Sequence, residues 1–179
     1  MSIYFLRHIQ TLNNKNGILS GRLDSHILPD AQITLPDKCP FFDIVHSSTA
    51  RRCVDTVSLI PIKYLTKQVY FTDMLLERHL GILEGLSKSY AIEIFPMMFT
   101  NNRIDVTTPI PEGESIEAVQ ERLQPEVTIL LSLTHTDNCL VCSHNQTLKI
   151  LYAMIYDIEI TNSYWCSTNF ENGVITKII

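Results

Sequence analysis

The chain has 179 residues, 45% of them hydrophobic and 18% charged, with a formal net charge of -5 at neutral pH. That length fits a single domain over residues 1–179 with enough apolar material for one core. The acidic balance argues against a surface for nucleic acid or anionic lipid, which needs clustered Lys and Arg, and no apolar run approaches the roughly 20 residues that span a bilayer. The start MSIYFLRHIQ reaches a charge too early for a secretory leader, so the expectation is a cytoplasmic protein with a small-molecule partner.

SIYFLR is rich in β-branched and aromatic residues and runs into polar TLNNKNG, the pattern of a buried strand entering a loop. FFDIVHSS repeats it, and TARRCVDTVSLI follows with apolar residues at helical spacing until Pro61 stops the helix. QVYFTDMLLE reads as a third strand and EGLSKSYAIEIF as a helix ending at Pro96. From Met97 to Glu112 turn formers dominate, the composition of a loop bordering a site. Ser115 to Leu133 reads as a long helix that Pro125 kinks or divides. NCLVCS is a fourth strand, and HNQTLKILYAMI a helix whose first turn begins at His144. YWCSTNFE and GVITKI read as two last strands, joined by a hairpin at Glu171-Asn172-Gly173. Strands alternating with helices imply an α/β sandwich with a site at the carboxyl ends of the strands.

The five cysteines lack the dense spacing of a disulfide scaffold and read as reduced thiols. Cys139 and Cys142 form a CxxC, but on a strand residues three apart face opposite ways, so packing is the favoured reading over zinc or redox use.

Strand-to-helix junctions place His8 beside Arg7, His144 after Ser143, and Arg51-Arg52 at a helix start. Phosphate chemistry needs cations around the phosphoryl oxygens, a nucleophile, and an acid for the departing oxygen, and these segments offer them. LRHIQT resembles the LRHGET/LRHGQT signature of the histidine phosphatase (phosphoglycerate mutase-like) superfamily, and GRLD resembles the Gly-x-x-Asp that follows it there. SSTARRCVDT resembles the family's Ser-Pro-Leu-x-Arg-Ala-x-x-Thr, and alignment on Thr56 makes Arg52 the pocket arginine. LLERHLGILEG, PEGES and VCSHNQTLKIL resemble three further blocks in family order.

The resemblance implies a three-layer α/β/α sandwich with a mostly parallel sheet, and a phosphomonoesterase that works through a phosphohistidine without metal or cofactor. It makes His8 the nucleophile, Arg7, Arg52 and His144 the phosphoryl clamp, and Glu77 the acid that protonates the leaving alcohol and then activates water. A protonated His144 would add a third positive charge, with helix N–H groups behind it. The resemblance further places Asn14, Ser20, Gly21, Asn145 and Gln146 at the substrate, and Arg78 and Lys88 where mutases bind a carboxylate or second phosphate.

Two family glycines are replaced, by Ile9 and Asn145, and each adds a side chain next to the expected pocket; Ile9 would narrow it. Asn101-Asn102 stand where mutases carry paired arginines, which weakens a second anion clamp and leaves Arg103 nearby. The partner is then a small anionic phosphorylated metabolite, with a homodimer left open. The alternatives are a phosphoglycerate mutase-type phosphotransferase and a non-catalytic phosphate-binding protein. His26, His46, His79 and His135 read as structural or solvent-facing, and Glu112, Glu114, Glu117 and Glu121 as a loop end and an exposed helix face.

Overall fold

Five strands form the central sheet of the computed structural model, which describes residues 2–66, 68–133 and 137–179. In chain order these are β1 (Ser2–Arg7), β2 (Ile44–Ser48), β3 (Val69–Thr72), β6 (Asn138–Ser143) and β7 (Ile175–Lys177). Between β3 and β6 lies a small hairpin, β4 (Phe99–Thr100) with β5 (Arg103–Ile104). The sheet runs β3-β2-β6-β1-β7, and all neighbours are parallel except β7, which pairs antiparallel with β1.

Alternation along the central strands makes two apolar faces, as a pleated strand requires. Ile3, Phe5, Cys139 and Val141 face one way, and Tyr4, Leu6, Leu140 and Cys142 the other. The first face is covered by Leu123, Val127 and Leu130 of α4 (Ile116–Ser132) and Leu148 and Leu151 of α5 (Asn145–Ile155). The second is covered by Cys53 and Val57 of α2 (Arg51–Ser58), the helix after the short α1 (Leu12–Lys15). Helices therefore sandwich the sheet. Each large apolar side chain so buried contributes about 1.5–3 kcal/mol before its entropy cost. The two thiols of the CxxC lie on opposite faces, all five cysteines are free, and burial pushes the Cys139 thiol up to about 12. Among the described residues no helix is long and apolar enough to cross a membrane.

Four sequence expectations change. YWCSTNFE is not a strand: Asn162–Ser167 forms helix α6, capped by the Thr161 hydroxyl, which accepts from the Tyr164 N–H at 3.2 Å. A helix lets this short aromatic segment bury Trp165 while the Tyr164 hydroxyl donates to the Lys149 carbonyl at 2.6 Å. No hairpin forms at 171–173; Gly173, with φ of 74°, donates to the Arg7 carbonyl at 2.9 Å and carries the chain along the end of β1. The helix expected from Glu84 starts later, as α3 (Lys88–Ile94), because Gly85 sits at φ 83° and Ser87 supplies the cap. The third strand ends at Thr72, whose hydroxyl caps a 3-10 turn over Asp73–Leu75.

Pro125 neither divides α4 nor breaks its buried stripe of Val119, Leu123, Val127 and Leu130. Between Leu123 and Val127 on that helix, Glu126 is fully buried and takes a bond from His46 Nδ1 of β2 at 2.6 Å. His79 lies 3.8 Å from Glu84, so both of these histidines are structural; His135 lies outside the described residues. His46→Ala strands the Glu126 carboxylate, and we expect a loss of about 3 kcal/mol of stability, read as a lower urea midpoint at unchanged slope.

Candidate active site

The site grows from the parallel pairing of β1 with β6, which sets Arg7 opposite Ser143. One step on, the His8 N–H donates to the Ser143 carbonyl at 3.0 Å. The next side chains on the two strands, His8 and His144, thus meet with ring centres 5.3 Å apart. His8 Nδ1 lies 2.8 Å from the Ile9 carbonyl, and since a carbonyl only accepts, Nδ1 carries the proton and Nε2 keeps its lone pair. Burial, followed by the charges of Arg52 and Arg7, drives the His8 pKa well below 6.5.

Arg52, on the first turn of α2, is 2% exposed and anchored on three sides. Its Nε donates to His144 Nδ1 at 3.1 Å, and its terminal nitrogens to the Leu23 and Gly21 carbonyls at 2.8 and 2.7 Å. Gly21 is needed there: φ is 49°, and a Cβ would fall 2.0 Å from Glu84 Oε1. Because His144 accepts at Nδ1, its proton sits on Nε2, which donates to Ser48 Oγ at 3.0 Å. Burial and then Arg52 hold His144 neutral far below the usual histidine range. The expected third positive charge is therefore corrected. His144 is a neutral residue packed behind His8 and Arg52, 0% exposed and off the cavity wall.

Glu77 is also buried, and its carboxylate lies on the start of α5. Oε1 accepts from Thr147 N and Thr147 Oγ1, both at 3.1 Å, and from Arg78 N at 3.0 Å, while Oε2 accepts from Gln146 N at 3.3 Å. The helix N–H groups expected to serve a phosphate are thus engaged by Glu77. Its neighbour Arg78 is not in this cavity: consecutive residues of extended chain point to opposite sides, and Arg78 Nε donates to the Glu114 carbonyl at 2.7 Å beside a second hollow. Glu114, read as part of a loop end, joins Arg22 at 2.8 Å, Arg122 at 3.0 Å and the His79 N–H at 2.8 Å. Burial opposes its charge, but these donors keep its pKa below the usual carboxylate value.

The cavity beside His8 has a volume of about 180 Å³, with Arg7, His8, Arg52 and Glu77 on its wall. Asn14, Ser20, Gly21, Lys88, Asn145 and Gln146, which the resemblance placed at a substrate, also line it. Ile9 does not narrow it. Its side chain is fully buried, with Cγ2 packed towards Gly173, and its N–H donates to Thr56 Oγ1 at 3.0 Å. Asn145 Oδ1 accepts from Phe170 N at 3.1 Å and its Nδ2 donates to Asn169 at 3.2 Å, so the added side chain ties down the closing loop.

Asn101 and Asn102, with φ of 49° and 57°, make the two-residue turn between β4 and β5. That turn brings Asn102 and Arg103 onto the wall. Asp105 braces it, accepting from the Thr100 hydroxyl at 2.6 Å, Thr107 at 2.7 Å and Asn162 of α6 at 2.7 Å. Lys149 and Trp165 line the cavity as well, and sequence reading missed both. Lys149 at the end of VCSHNQTLK was the available signal, a cation in the middle of an otherwise apolar helix face.

The profile of the histidine phosphatase superfamily (branch 1) matches residues 3–178. The chain belongs to that family. "Putative phosphoserine phosphatase 2" of Hydrogenobacter thermophilus is 29% identical over 182 residues, covering 98% of this chain and 88% of that one. A 2,3-bisphosphoglycerate-dependent phosphoglycerate mutase of Buchnera aphidicola is 26% identical over 194 residues, covering 88% and 84%. In fold, the chain is similar to a mycobacterial glucosyl-3-phosphoglycerate phosphatase, with a TM-score of 0.80 at 22% identity over 98% of this chain and 91% of the other. For this histidine phosphatase family member the lowered pKa values have a direct readout. Imidazole nitrogen NMR should show His8 and His144 still neutral as pH falls through 6.5, whereas a ring protonating at or above 6.5 contradicts the arrangement.

Proposed function

We propose that this chain, acting as one domain without metal or cofactor, hydrolyses a small phosphorylated metabolite through a phosphohistidine on His8. One observation carries the reading: a neutral imidazole, its Nδ1 proton fixed on Ile9 O, stands on one cavity wall with two guanidiniums and a carboxylate. His8 Nε2 attacks phosphorus, the bond to the alcohol oxygen breaks, and Glu77, protonated at the start of the cycle, gives that oxygen its proton and becomes the carboxylate. Water then loses a proton to Glu77 and attacks phosphorus, the P–N bond breaks, and His8 is restored. Arg7 and Arg52 carry permanent charge for the phosphoryl oxygens, and His144 acts by positioning Arg52 and the His8 ring.

Relatives named as phosphatases support hydrolysis. The five free thiols suit a reducing cytoplasm, which is where we place the reaction. A mutase-type transfer is favoured by one observation, the cations Lys88 and Arg103 on the cavity wall, together with the mutase relative. Asn101 and Asn102 weigh against it, because they form a turn in place of a cationic pair.

The native chain should hydrolyse an aryl phosphate with no added metal and yield an acid-labile phosphoprotein. His8→Ala should lower kcat/KM by on the order of 10³-fold or more and abolish the label. Glu77→Gln should cost about 10²–10⁴-fold, most for substrates with poor leaving groups. Full activity of the His8 variant would sink the mechanism, and isomer interconversion primed by a bisphosphate would favour the mutase.

A further inference from the structure

The chemistry above leaves Lys149 without a role. Its side chain is drawn inward from α5: the residue is 1% exposed, yet it forms part of the cavity wall. Nζ donates to the Trp165 carbonyl at 2.6 Å and lies 4.9 Å from the centre of the Trp165 ring. An ammonium has three N–H donors. Among the described residues the Trp165 carbonyl is its one hydrogen-bond acceptor, and no carboxylate forms an ion pair with it.

The charges acting on Lys149 are of both signs, Arg103 and Arg7 against Cys166 and Glu77. Arg103 acts on it more strongly than Arg7 does, and Arg103 also acts on Lys88, so these side chains form a cationic end of the cavity. His8, by contrast, feels Arg52 and Arg7. On the shared wall the one carboxylate among the described residues is Glu77, which the α5 N–H groups engage. A buried ammonium with one carbonyl acceptor and no ion-pair partner among the described residues costs free energy unless a ligand brings the counter-charge.

We propose that Lys149 is a specificity-determining residue whose ammonium binds a second anionic group, a carboxylate or a further phosphate, on the phosphomonoester that His8 attacks. The assignment rests on the phosphatase reading, since it takes the first phosphate to lie against His8. It also carries a pH signature. Burial first, then Arg103 and Arg7, lower the Lys149 pKa to about 8 against the pull of Cys166 and Glu77. Tyr164, whose hydroxyl bonds the Lys149 carbonyl, is pushed up to about 12 and does not titrate in this range. A lowered lysine pKa means a charged group below that value and a neutral one above it, so the preference for a second anion should fade as pH rises through about 8.

The test is calorimetric, on the full chain carrying His8→Ala, so that no probe turns over. The probes are glycerol 3-phosphate, 3-phosphoglycerate, and 1,3-propanediol bisphosphate. At pH 7 at least one doubly anionic probe should bind about tenfold or more tighter than glycerol 3-phosphate, and the gap should shrink several-fold by pH 9. Which probe shows the gap tells carboxylate from phosphate.

Adding Lys149→Met should close the gap while moving glycerol 3-phosphate by less than about twofold. Lys149→Arg should keep the gap and remove its pH dependence, because an arginine stays charged throughout. The Arg variant and the pH series decide the matter if the Met variant does not fold. A gap that survives Lys149→Met, an equal loss for all three probes, or no gap in the His8→Ala chain overturns the proposal. Absence of phosphomonoester hydrolysis by the native chain is a separate failure, of the phosphatase reading, and leaves these affinities to decide on Lys149.

Discussion

The site depends on one register. Parallel pairing of β1 with β6 sets Arg7 against Ser143, so the two strands end side by side and release His8 and His144 at the same edge. A slip of one residue would move every strand side chain to the opposite face of the sheet. Ile3 and Phe5 would then exchange places with Tyr4 and Leu6, and the apolar surfaces beneath α2 and beneath α4 and α5 would no longer match. The core therefore enforces the geometry of the site, and the Ser143 hydroxyl adds a bond to the Leu75 carbonyl at 2.7 Å next to Glu77.

Around that edge the protein separates fixed charge from titratable groups. Arg52, nearly buried, donates its N–H groups to two carbonyls and to His144 Nδ1. Burial first, and then the field of the same arginine, lowers the pKa of both histidines. The cavity thus offers a phosphate permanent cations and a deprotonated nitrogen together, an arrangement set before any ligand arrives. Glu77, held at four points between the Arg78 N–H and the start of α5, supplies the carboxylate to a defined position.

The residues that depart from the family pattern are absorbed by the fold. Ile9 turns into the core against Gly173, Asn145 fastens the loop at Asn169 and Phe170, and the Asn101-Asn102 turn carries Arg103 to the cavity. None of these places a bulky group over His8.

The central strands and their covering helices were legible in the sequence, because period-two and helical patterns are local, and so were the segments that carry Arg7, His8, Arg52, Glu77 and His144 to the edge of the sheet. Those local patterns misread the stretch from Tyr164 to Gly173, where a capped helix and a single glycine gave the aromatic residues a better-buried route than a hairpin. The charge on His144, the exclusion of Arg78 from the cavity, and the inclusion of Lys149 and Trp165 were decided by tertiary structure alone. Protonation and side-chain direction depend on burial and on partners distant along the chain, and no local pattern of residues encodes either.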